Sequence, residues 1–192
     1  VDRHAEFLDF PGTSLLKLAV LFQDIGKPAT ATVNAADSFP TNDHAAQSAD
    51  MAGEICHRLK FSKRQSESIA TIIRHHLKPF LIFAARPQTI RTNRAFIRLF
   101  MMCGDYTPAI LLHALANFMG RKPEQDKSIR RFAKFIDEGL EAFYAKLQPR
   151  SMLPPLLNGH DLVKEFGLAP SAVFKQILKY IEQERLARTN LT

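Results

Sequence analysis

The sequence predicts an all-α protein, a bundle of helices with a small helical C-terminal appendage. Three observations carry that expectation. Apolar residues recur at three- and four-residue spacing through most of the chain, and no clear strand-like alternation appears. Gly and Pro interrupt this pattern about once per helix length, as helix stops and starts do. Residues suited to helix starts stand before several of the apolar runs, Ser62 with Gln65 and Thr107 with Pro108 among them.

The first core helix is the apolar run Leu15 to Phe22, stopped by Gly26 and kept from resuming by Pro28. It is too short to cross a bilayer and is expected inside a core. Asp24 falls in its last turn, facing the negative end of the macrodipole. A lone carboxylate is costly to bury, so a metal, a cation or the amides of another helix start should face it. Lys27 to Thr41 is expected to be a polar loop, with Asn42 or Asp43 capping the next helix. That helix carries Ala45, Ala49, Ala52, Cys56 and Leu59 along one stripe and ends near Lys60. Ser62 and Gln65 form a capping box for a helix through Ile69, Ile72 and Ile73 to His75 and His76, which Pro79 ends.

Leu81 to Thr92 is expected to be irregular, broken by Pro87. Asn93 to Cys103 reads as a helix stopped by Gly104, and Thr107-Pro108 opens another that Gly120 closes. Pro123 opens the longest helix, to about Lys146. Pro149, Pro154 and Pro155 mark a break, which divides the chain into a helical domain over residues 1–150 and an appendage over 151–192. The appendage holds two helices, Gly159 to Phe166 and Ser171 to Arg188, parted by Gly167 and Pro170. It is too small to fold without packing on what precedes it.

A chain of 192 residues can bury a substantial core, and apolar and charged shares of 46% and 23% are ordinary for a globular domain. No run of about 18 apolar residues occurs, so no membrane span is expected. A secretory signal before the fold is not expected. Cys56 and Cys103 lie among apolar neighbours without CxxC spacing, as reduced core thiols of a cytoplasmic protein do. The chain begins at Val1, close to its first core helix, as a fragment or processed product would. Lys and Arg number 26 against 19 Asp and Glu, a balance that suits a polyanionic partner.

Two groups of side chains could carry chemistry. Asp24, His44 and His75 or His76 fall at helix ends, where three helices can aim polar groups at one point. Imidazole and carboxylate together suit a first-row metal. His57, His113 and His160 have no partner at suggestive spacing and are expected to be structural. The second group is basic: Arg91, Arg94 and Arg98 share a helix face, and no acid lies between Arg86 and Asp105. Arg74, Arg121 with Lys122, and Arg130 with Arg131 extend the charge. An Arg-rich face without carboxylates fits a phosphate backbone, although a charge run more often marks a solvated face. Neither a glycine-rich phosphate loop nor a GSDxD carboxylate pair occurs.

The blocks LLKLAVLFQDIGKPAT, DHAAQSADMAGEICHRLKFSKRQ and IIRHHLKPF resemble the HD superfamily of metal-dependent phosphohydrolases. The closer resemblance is to the HD region of tRNA nucleotidyltransferases (CCA-adding enzymes) and bacterial poly(A) polymerases. PPLLNGHDLVKEFGLAP and ILKYIEQE extend it weakly toward the end of the chain. It implies an HD-like helical bundle and puts Asp24, His44, His75 and His76 at positions of a divalent-metal site. Two positions depart from the family pattern. The His-Asp pair stands here as Gln23-Asp24, and a late Asp falls near Asn117. Neutral amides at both imply a weak or empty site where Mg or Mn would bind, and no catalytic residue is assigned.

The family's nucleotide-transferring head has no counterpart in this sequence, so nucleotide transfer by this chain alone is not expected. The implied function is RNA 3′-end processing, in which this portion positions RNA, tRNA foremost, by phosphate contacts. Arg74, Arg91, Arg94, Arg98, Arg121, Lys122, Arg130 and Arg131 would make them. Two other readings stay open: a metal-dependent phosphohydrolase acting on nucleotides or phosphoesters, and a degenerate HD scaffold. A homo-oligomer is compatible with all three, and no membrane partner is expected.

Overall fold

Residues 12–30, 42–85, 90–121 and 127–187 are described by a computed structural model, with the side chains of 12, 30, 42, 43 and 90–93 excepted. All regular elements among the described residues are helices: α1 (Gly12–Phe22), α2 (Lys27–Thr30), α3 (Asn42–Arg58), α4 (Lys63–His75), α5 (Lys78–Ala84), α6 (Ile90–Cys103), α7 (Thr107–Gly120), α8 (Lys127–Ala142), α9 (Gln148–Ser151), α10 (Gly159–Lys164) and α11 (Val173–Ala187). The expected all-α class is therefore observed. The expected caps at Asn42 or Asp43, the rest of the Lys27 to Thr41 loop, and Pro87, Lys122, Pro123 and Arg188 lie outside what is described, as does the side chain of Arg91.

α4 forms as its sequence dictates. The Ser62 hydroxyl accepts from the Gln65 amide at 3.2 Å, and the Ser62 amide donates to Gln65 Oε1 at 2.9 Å. This reciprocal box satisfies two amides that a helix start leaves unpaired. Ser68, Ile69, Ile72 and Ile73 then face inward at helical spacing. The Leu59–Phe61 corner departs from residue preference, since Lys60 takes the left-handed conformation at φ 61°. Its amide donates to His57 and that of Phe61 to Cys56, closing α3 with a motif that ordinarily uses glycine.

Four expectations are corrected. Lys27 to Thr30 is a helical turn and not loop, because Pro28 is compatible with the first turn of a helix, where an amide lacks a partner anyway. Pro79 ends α4 but also opens α5 for the same reason, so the stretch from Leu81 is helical to Ala84. α6 starts at Ile90, earlier than Asn93. Thr107 is not the cap of α7 either: Tyr106 holds that place, and the Thr107 hydroxyl donates to the Gly104 carbonyl at 2.7 Å.

Leu15, Ala19, Ala52, Cys56, Ile69, Ile72, Ile73, Phe96, Ile110, Leu111, Phe132, Phe135 and Ile136 belong to one main core. Phe132 on α8 sits within 4.5 Å of Phe118, 5.2 Å of Phe80 and 5.0 Å of Phe83, measured between ring centres. These pairs tie α5, α7 and α8 together, each worth about 0.5–1.5 kcal/mol beyond area burial. Both cysteines are buried, and burial pushes the Cys103 thiol up to about 12, so neither is a reactive thiolate. The stretch Arg94–Gly120 is long and apolar enough to span a bilayer, but half of its most apolar window is buried within the bundle. Gly104, at φ 53°, sits at the three-residue turn that joins α6 to α7.

The expected break holds Pro154 and Pro155 but not Pro149. Pro149 lies in the first turn of α9, and helix gives way only at Met152. α11 returns to the body, where Leu186 joins Ile97, Phe100, Phe143 and Leu147 in a second apolar cluster. Arg185, almost fully buried, donates to the carbonyls of Arg150, Leu153 and Pro154 and pairs with Glu182. The expectation that the tail packs on what precedes it is met at this end of α11.

Candidate metal centre

The site is assembled by a close approach of backbones. After α1 the chain makes a tight turn over Gln23 to Gly26. The Gly26 amide donates to the buried Ser48 hydroxyl of α3 at 2.9 Å. A Cβ at residue 26 would lie 2.6 Å from the Ser48 backbone nitrogen and 2.9 Å from Gln47 Cβ, so only glycine fits. This approach brings Asp24, at the turn, beside His44, near the start of α3. His76 reaches the same point from the end of α4, where the buried stripe Ile69, Ile72, Ile73 continues by three residues.

Asp24, His44 and His76 each offer one ligand atom, and the three atoms lie within 4.8 Å of one another. His44 Nε2 stands 3.8 Å from Asp24 Oδ1. The other carboxylate oxygen, Oδ2, accepts from Lys27 Nζ at 2.7 Å and faces Arg121 Nη2 at 3.7 Å. Of the partners expected opposite Asp24, a cation is thus present twice, and the carboxylate is only partly buried, 35% exposed. Oδ1, by contrast, is buried and makes no hydrogen bond.

His76 is fully buried. Its Nδ1 lies 2.6 Å from the Ile73 carbonyl, which can only accept, so the proton is on Nδ1. Nε2 is then a bare lone pair, buried and unpartnered. Burial lowers the His76 pKa, with charge on His44 and Arg121 adding to that, while the Ile73 carbonyl and Asp24 oppose it. A neutral imidazole with its second nitrogen held by a carbonyl is how metal-ligating histidines are oriented. The donor set of two imidazoles and one carboxylate, with orphaned lone pairs on Asp24 and His76, therefore fits a first-row divalent cation.

The two departures noted in the sequence meet in space. Asn117 Nδ2 donates to Gln23 Oε1 at 3.1 Å, so each amide is committed to the other. His75 does not join the cluster. It is half-buried, with a pKa lowered first by burial and then by Lys78 and Arg74.

His113, expected to be structural, lies outside the ligand cluster but is fully buried with its ring 5.2 Å from His76, while the His76 and His44 rings are 5.9 Å apart. Three imidazoles thus step from the rim into the core. Burial and charge on His76 push the His113 pKa down to about 4, against a weaker pull from the Ala19 carbonyl and Asp24. The available signal was its place one turn before Asn117 on the same helix face.

Three of the six described residues of the basic group are engaged in ion pairs. Arg74 pairs with Asp50 at 2.6 Å, Arg94 with Glu184 at 3.4 Å, and Arg121 with Asp24. Arg98, Arg130 and Arg131 are exposed. His57 and His160 are exposed and lie outside the cluster.

No curated protein and no solved structure matches the chain. Residues 5–138, more than half of its length, match the family model for the HD domain. That match spans α1 through most of α8, including every residue of the cluster, and the chain belongs to the HD domain family.

Proposed function

We propose that this HD domain binds one divalent cation through Asp24, His44 and His76 and acts there on a phosphoester. The observation that carries this reading is the pair of buried, unpartnered lone pairs, Asp24 Oδ1 and His76 Nε2, in one cluster with His44. Two imidazoles in the set favour Mn(II) over Mg(II). Held by these three residues, such an ion would supply Lewis-acid chemistry toward a phosphoryl oxygen and would acidify water. The protein's own contribution is electrostatic and geometric. Lys27 and Arg121 restrain Asp24 Oδ2, and their half-exposed cationic heads stand at the rim, where a phosphate would arrive. Gln23 and Asn117, bonded to each other, leave the ion three protein ligands and the remaining positions to water and substrate.

The test combines metal titration with turnover. Calorimetry with MnCl2 should give about one ion per wild-type chain and none for Asp24→Ala or His76→Gln. Hydrolysis of bis(p-nitrophenyl) phosphate should require Mn and vanish in both variants. A folded wild-type chain that takes no Mn at millimolar concentration overturns the metal reading. Stoichiometric Mn without turnover of mono- or diesters overturns the hydrolase reading.

A second reading, the RNA-positioning portion of an RNA 3′-end-processing protein of the tRNA nucleotidyltransferase type, is favoured by the resemblance in DIGKPAT and IIRHHL. The exposed Arg98, Arg130 and Arg131 also favour it. Replacing these three with Gln should weaken tRNA binding and flatten its dependence on log salt by about 0.7–0.9 per lost phosphate contact. An unchanged slope removes this reading.

A further inference from the structure

Two cations stand at the rim of the cluster, and they are not alike. Lys27 Nζ donates to Asp24 Oδ2 at 2.7 Å, a full charge-assisted hydrogen bond. Arg121 Nη2 faces the same oxygen at 3.7 Å, close enough to attract but beyond hydrogen-bond reach. Among the described residues Arg121 makes no side-chain hydrogen bond, so the N–H donors of its guanidinium are uncommitted. Its backbone is nonetheless fixed. It caps α7, its amide donates to the Phe118 carbonyl at 3.3 Å, and the Phe118 ring stacks on Phe132 in the core. Half of the side chain is exposed. A Cβ added at the neighbouring Gly120 would meet nothing within 4 Å, so the space beside Arg121 is open.

We propose that Arg121 makes this site selective for phosphomonoester dianions over diesters, an inference that rests on the metal-hydrolase reading above. A guanidinium is a planar fork that meets two oxygens of one phosphate at once. A monoester's terminal phosphoryl group has three non-bridging oxygens, enough for both prongs and for a cation held at Asp24 Oδ1. A diester has two, so one prong is left empty. Oδ1 and Oδ2 belong to one carboxylate, which puts Arg121 within a phosphoryl group's width of the buried, unpartnered Oδ1. Charge points the same way. With neutral imidazoles, Lys27, Arg121 and a divalent ion against the Asp24 carboxylate give a formal sum of +3, which a dianion offsets further than a monoanion does. Lys27 does not fill this role, since its ammonium is a point charge already bonded to Oδ2.

Binding and turnover together test this. Calorimetry on the Mn-loaded chain at about pH 8 compares phenylphosphonate, a dianion, with its monomethyl ester, a monoanion. Wild type should bind the dianion about tenfold or more tightly than the ester, the worth of one charge-assisted hydrogen bond. Arg121→Lys keeps the charge and loses the fork. It should bind the dianion about tenfold more weakly than wild type does, and the ester nearly as well. Arg121→Gln should weaken both. The ratio of kcat/KM for p-nitrophenyl phosphate to that for its bis ester should fall in parallel. Each variant should still take about one Mn and melt as wild type does, since the side chain is half exposed. Loss of Mn in Arg121→Lys would make Arg121 a support for Asp24 and overturns the proposal. So does an unchanged preference in that variant, or a wild type without one. A wild type that takes no Mn fails earlier, with the metal reading on which the proposal rests.

Discussion

His113 should make this protein lose stability as pH falls below 6.5, and by a calculable amount. The side chain is fully buried, and its pKa is pushed down to about 4 from an ordinary value of 6.5. The unfolded chain takes up a proton on this imidazole near pH 6.5, whereas the folded chain refuses it until about pH 4. Stability therefore rises with pH across that window and is lost as pH falls through it, the loss levelling off below about pH 4. At about 1.4 kcal/mol per pH unit, His113 costs about 2 kcal/mol at pH 5 relative to pH 7, and about 3 kcal/mol in all. No discount for solvent screening applies to a group with no exposure.

The assay is urea unfolding of chelator-treated wild type and His113→Leu at pH 7, 6 and 5. Leu is close in volume and cannot titrate, while carboxylates titrate alike in both chains and cancel in the difference. The stability difference should shift by about 2 kcal/mol in favour of His113→Leu between pH 7 and 5. A difference that does not move with pH would show that the His113 ring meets water, refuting the burial from which the magnitude was worked.

Three further outcomes follow from the same geometry. Gly26→Ala should cost about 1–3 kcal/mol in urea unfolding, because the new Cβ meets the Ser48 backbone, and should weaken Mn binding by shifting Asp24. Lys60→Gly should raise stability by about 0.5–1 kcal/mol, measured the same way, since it removes the left-handed strain at φ 61°. Gln23→His with Asn117→Asp should tighten Mn binding about tenfold or more in calorimetry. A folded double variant with unchanged affinity would mean that the two positions do not face the cation.

Much of the bundle was legible because local chemistry and burial agreed. Ser62 and Gln65 close their capping box, and the α4 stripe runs as its isoleucines predict. That same stripe distinguishes His76 from His75, since only residue 76 continues the buried spacing. Prolines misled where one residue both ends a helix and begins another, as Pro79 does, or lies inside a first turn, as Pro28 and Pro149 do. Asp24 and His44 could be named as ligands, but their meeting depends on the Gly26–Ser48 approach, which no spacing along the chain encodes. The ion pairs of the basic residues were hidden for a related reason. The partners of Arg74 and Arg94 are Asp50 and Glu184, at separations of 24 and 90 residues, and such pairings appear only when the chain is folded.

Arg185 changes what the proline-rich joint is. By sequence the joint looks like a linker, free to open, but its carbonyls at residues 150, 153 and 154 converge on one buried guanidinium. Releasing them leaves the buried Arg185 guanidinium short of partners, which favours keeping all three. In hydrogen exchange the C-terminal amides of α11 should then be protected to the same degree as those of α6, against which that helix packs, and not as those of a fraying end. A force applied to α10 and α11 would be carried into the body through this joint, with no slack to absorb it.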